Sequence, residues 1–102
     1  MSEWGFLTNH ARVLACIARD PEVRLRDIAT TAGITERYAY GIVDDLTLGG
    51  YIVKEREGRR NSYKIQVNAP VDEAVTSPKT IGQLLTFLLG SQSARRQYSK
   101  RT

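Results

Sequence analysis

Glu57-Gly58-Arg59-Arg60-Asn61 sets two adjacent guanidinium groups and an amide beside a glycine, between two stretches of strand character. Guanidinium groups are planar, always charged, and able to hold phosphate oxygens through two parallel hydrogen bonds. Carried on a narrow hairpin tip, Arg59, Arg60 and Asn61 suit phosphate contacts and insertion into an A·T-rich minor groove, where the potential is most negative. Lys54, Arg56 and Lys64 extend this basic stripe along the strands, offset by Glu55 and Glu57. A solvated turn whose charges guard an exposed sheet edge has the same composition. His10 and Cys16, one residue of each type, stand six positions apart. Ligands on one helical face come three or four apart, and a metal site here would need carboxylates or a second subunit. A Cys–His nucleophile pair would need an orienting group and a cleft. Both residues are read as core or surface packing: no enzyme, no metal site and no cofactor is expected.

The elements that position these groups follow from periodicity. Thr8 or Asn9 can cap a first helix running to about Arg19, with Val13, Leu14, Ile17 and Ala18 inward. Asp20-Pro21 ends it, because the residue before proline is steered out of the helical region. Arg26 to Ala32 forms a short second helix with Ile28, Ala29 and Ala32 inside, closed by Gly33. Ile34 plugs inward, and Thr35 caps a third helix with Glu36 at the positive end of its dipole. Ala39, Ile42, Val43 and Leu46 make its apolar stripe; Glu36, Arg37, Tyr40 and Asp44 lie opposite, with Tyr38 at the margin. Gly49-Gly50 ends this helix. Tyr51 to Arg56 is a first strand, residues 57–61 the turn, and Ser62 to Val67 a returning strand with strict alternation.

Helix, glycine turn, helix and basic hairpin in that order make the winged-helix arrangement. Residues 6–70 resemble small bacterial winged helix-turn-helix regulators of the MarR and ArsR type, through Leu25–Ala29, Gly33–Arg37, Gly50–Ile52 and Gly58–Tyr63. The resemblance implies that Val23 to Leu25 adds a third strand to the hairpin. It implies that Thr35, Glu36, Arg37, Tyr38 and Tyr40 are offered to the major groove, with Arg56, Arg59, Arg60 and Asn61 as the wing's contacts. Arg37 can fork onto guanine O6 and N7; Glu36 can accept from cytosine N4 or serve only the helix dipole. Tyr38 and Tyr40 can reach phosphates and thymine methyls, or pack against the hairpin. Gly41 in mid-helix is unfavourable, and either close approach of DNA or a tight helix crossing would explain it. Asp44 and Asp45 count against a strongly DNA-seeking surface.

Charge and composition set outer bounds. The 102 residues suit one small, modest core, and a single cysteine excludes an internal disulfide framework and fits a reducing cytosol. No apolar run is long enough for a spanning helix, and MSEWGFLTNHAR lacks the pattern of a secretory signal, so a cytoplasmic protein is expected. The net charge is +4, and residues 1–90 balance at eleven basic against eleven acidic groups. The excess is Arg95, Arg96, Lys100 and Arg101, in a basic tail expected to be disordered (residues 91–102). The case for nucleic acid therefore rests on local pattern, not on bulk charge.

Asn68 to Pro78 reads as a polar linker, and Thr80 caps a short helix carrying Ile81, Leu84, Leu85 and Leu88 on one stripe. So short and apolar a helix must pack on something. Relatives of this type dimerise through terminal helices. A homodimer built from Ile81, Leu84, Leu85 and Leu88 with Trp4, Phe6 and Leu7 is expected, and docking on its own chain is the alternative. Trp4, Phe6 and Leu7 could equally cover the core. The expectation is an α+β protein, mainly α with a small sheet: a winged helix-turn-helix over residues 1–70 and a linker and dimerisation helix over 71–90. It would act as a homodimeric, sequence-specific regulator of transcription on double-stranded DNA, with no membrane partner. The alternative is a winged-helix module that binds a protein and has lost DNA binding. If a small-molecule effector exists, the resemblance places it between the wing domain and the terminal helices, and no residue identifies it.

Overall fold

The computed structural model describes residues 5–71 and 79–90. Among the described residues, four helices and one antiparallel hairpin share a single apolar core. Helix α1 (Asn9–Arg19) starts where the Thr8 hydroxyl accepts from the Ala11 amide at 3.1 Å, and Val13, Leu14, Ile17 and Ala18 are buried. Helix α2 (Leu25–Ala32) buries Ile28, Ala29 and Ala32; α3 (Glu36–Leu48) buries Ala39, Ile42, Val43 and Leu46. The expected stripes are the buried ones. Helix α1 packs on both α2 and α3, and no charged or polar side chain is buried among the described residues.

The corners on either side of α3 are built alike. After α2 the Ile34 amide donates to the Ala29 carbonyl at 2.9 Å and Gly33 to Thr30 at 3.3 Å. After α3 the Tyr51 amide donates to Leu46 at 2.9 Å and Gly50 to Thr47 at 3.2 Å. Each is a six-to-one plus five-to-two pair, the Schellman termination, which needs its five-to-two donor in the left-handed region. Gly33 (φ +74°) and Gly50 (φ +84°) supply it, where a side chain would be strained. The residue after each glycine, Ile34 and then Tyr51, packs back against the core.

Strands β1 (Ile52–Glu57) and β2 (Arg60–Ile65) pair from Ile52↔Ile65 to Glu57↔Arg60. The five-residue turn expected over 57–61 is therefore only Gly58-Arg59, with Arg60 and Asn61 already in the ladder. A glycine at φ +62° followed by a residue at negative φ matches the tight turns that fit the strand twist, so pairing runs to the tip. The third strand over 23–25 is not formed. Leu25 opens α2, and the Val23 amide turns back to the Asp20 carbonyl at 3.0 Å. What reaches β2 is one bond, from the Tyr63 amide to the Pro21 carbonyl at 2.9 Å.

The chain after β2 is tied down where a linker was expected. Val71 donates to the Lys79 carbonyl and Pro70 bridges Thr80. The first amides of α4 (Ile81–Leu89), those of Ile81 and Gly82, donate to the Ala69 and Val67 carbonyls at 2.8 and 2.9 Å. Helix N-termini leave such donors without internal partners, and here the returning chain supplies them. Thr80 and Gln83 close a reciprocal capping box. Helix α4 then packs on α1 of its own chain, with Ile81 and Leu85 in the core. Ile81 and Leu85, expected at a dimer interface, are thus buried against their own chain, as the docking alternative has it. Leu84 and Leu88 are half-buried, Phe87 is 85% exposed, and Phe6 and Leu7 are exposed. Trp4, most of the expected linker and the basic tail lie outside the described residues. No helix among the described residues is long and apolar enough to cross a membrane.

Candidate nucleic-acid interface

Between α3 and the hairpin lies an open cleft of about 550 Å³. Its cations come from three separate parts of the chain: Arg24 ahead of α2, Lys54 on β1, and Arg59 and Arg60 at the turn. Tyr40 and Val43 line it from α3, Tyr63 and Asn61 from β2, and Glu22 is the carboxylate among the described side chains that line it. Register explains part of the convergence. Lys54 stands opposite Tyr63, whose side chain is buried, so this face of the ladder is the one turned toward the helices. Arg60 comes within 3.8 Å of Glu22, but both side chains are well exposed, and such a pair is weak. Among the described side chains, four positive groups thus face one negative group across a concavity.

The expected contact residues divide. Arg59, Arg60, Asn61 and Tyr40 line the cleft. Arg56 does not; its Nε donates to the Gly58 carbonyl at 3.1 Å and braces the turn from its own strand. Thr35 caps α3, its hydroxyl accepting from the Tyr38 amide at 3.0 Å, and Glu36 lies in the first turn beside the positive helix end. Glu36, Arg37 and Gly41 are exposed, and Tyr38 is half exposed on the same helix. Of the two tyrosines, Tyr40 is the one that borders the hairpin, although it stays 59% exposed.

Arg24 escaped the sequence reading. Its signal was electrostatic: Arg24 at the N-cap and Arg26 in the first turn sit at the positive end of the α2 dipole, where cations are disfavoured. Asp45, which weighed against DNA, has a partner in its own chain, because His10 Nε2 lies 2.8 Å from its Oδ2 and joins α1 to α3. Asp44 remains exposed. Cys16 is half-buried; desolvation raises its pKa above the ordinary thiol value, with nearby Arg19 opposing more weakly, so it is a poor thiolate nucleophile. No group of three potential metal ligands occurs among the described residues.

Gly41 is not explained by a tight helix crossing: a Cβ built there meets nothing within 4 Å. Gly41→Ala is therefore expected to stabilise the protein by up to about 1 kcal/mol in urea denaturation. If nucleic acid approaches the helix at this point, the same variant binds it more weakly. Higher stability with unchanged binding would mean that no ligand comes close to Gly41. No protein-family model, no curated protein and no solved structure matches this chain.

Proposed function

We propose that the chain is a winged helix-turn-helix protein that binds duplex DNA and regulates transcription in the cytoplasm. The observation that carries this reading is the convergence of Arg24, Lys54, Arg59 and Arg60 on the flank of α3, opposed among the described side chains by Glu22. Exposed Arg37 and Tyr38 lie in the N-terminal half of α3, the half that a major-groove helix turns toward base edges. The hairpin arginines would hold phosphates or the minor groove beside it. A homodimer on a two-fold operator belongs to this reading. With Ile81 and Leu85 packed in their own core, its contact would draw on exposed Phe6, Leu7 and Phe87 and on the half-buried Leu84 and Leu88.

Fluorescence anisotropy of the full chain against a mixed-sequence duplex pool, at several salt concentrations, tests the reading. Affinity is expected to fall log-linearly with salt, with a slope of about 0.9 per phosphate neutralised. Absence of binding at low salt would overturn it. The second reading, a protein-binding module without DNA affinity, draws on exposed Glu36 and Asp44 along α3. It predicts no salt-dependent duplex binding at all.

A further inference from the structure

We propose that the cleft between α3 and the hairpin is a binding site for a free nucleotide carrying two or more phosphates. This goes beyond the DNA reading and rests only on the shape and lining of the cleft. At about 550 Å³ it falls within the roughly 300–1,000 Å³ of small-molecule sites. The cations of this cleft can meet duplex phosphates, but an apolar floor beneath them adds nothing to such contacts. Here Val43 gives an aliphatic floor, and the Tyr40 ring stands at the edge, 59% exposed and available to stack on a base. Around the rim Arg24, Lys54 and the Arg59–Arg60 pair come from three chain segments, so their charges can be shared among successive phosphates. Base on Tyr40 and phosphates on the rim make one ligand, and a nucleotide seated there would compete with a duplex for Arg59 and Arg60.

Isothermal titration of the full chain with ATP, tripolyphosphate and adenosine, without added magnesium, tests this. ATP is expected to bind about tenfold or more tighter than tripolyphosphate through the stacked base, and adenosine not to bind measurably. Tyr40→Ala should remove the advantage of ATP and leave tripolyphosphate unchanged, while Tyr40→Phe keeps both affinities. Arg24→Ala should weaken ATP and tripolyphosphate together. Equal affinity for ATP and tripolyphosphate, or ATP binding indifferent to Tyr40→Ala and Arg24→Ala, would overturn the site. Duplex titration of the same preparation separates the two readings. Duplex binding without ATP binding removes this proposal alone, and ATP binding without duplex binding removes only the DNA reading.

Discussion

Replacing Arg59 and Arg60 together with alanine is expected to lower affinity for duplex DNA by roughly 100-fold at low salt. Hydrogen bonds to charged groups contribute about 1.5–3 kcal/mol each, and each 1.4 kcal/mol is a factor of ten. Two such contacts give that loss. The salt slope should fall by about 2, because each phosphate contact contributes about 0.9. Stability should barely change. The Arg60–Glu22 pair is exposed at both ends and spans 3.8 Å, and surface pairs of this kind contribute 0 to about 1 kcal/mol. A control that removes equal charge from α1, Arg12→Ala with Arg19→Ala, leaves the cleft intact, since neither residue lines it. If the control loses as much affinity as the hairpin variant, binding follows net charge and the cleft has no special part in it.

Leu85→Ala is expected to be the most damaging single change in the last helix. Leu85 is 3% exposed in the shared core, and removing a buried leucine side chain costs about 2–5 kcal/mol. Domains of this size rarely exceed about 5–15 kcal/mol in total, so the variant should sit close to its unfolding threshold at 37 °C. Phe87→Ala on the outer face should change stability by no more than about 0.5 kcal/mol, as surface substitutions usually do. Because Ile81 and Leu85 dock on their own chain, most of the stability α4 contributes should persist when the protein is diluted below the concentration at which copies associate. A midpoint that rises with concentration would mean that part of this stability comes from association between copies.

What could be read from the sequence was what depends on near neighbours. The stripes of α1 and α3, their threonine caps and the closure of α2 by Gly33 all arise within a few residues and were legible. The apolar stripe of α4 was equally legible, but which surface it meets was not. That is decided by carbonyls at Val67 and Ala69 receiving the first amides of the helix, a contact made across the chain. The third strand failed because Val23 and Leu25 have strand-like side chains, whereas the Val23 amide is already taken by Asp20. At the candidate interface, Arg59, Arg60 and Asn61 were found because a basic cluster beside a glycine is local information. Lys54 was legible as part of the basic stripe on the strands, whereas Arg24 joins the cluster only through folding: it stands before a helix, and nothing in its spacing brings it to this cleft.

The paired corners around α3 bear on how this surface can change over time. A segment clamped at both ends by backbone bonds, through Gly33 before it and Gly50 after it, has its path set without help from its outward side chains. Arg37, Tyr38 and Tyr40 can then be exchanged while the axis that carries them keeps its course. A new preference for a partner is open to single substitutions at these positions. The same rigidity lowers the entropy lost on association, because the helix is already ordered before anything binds.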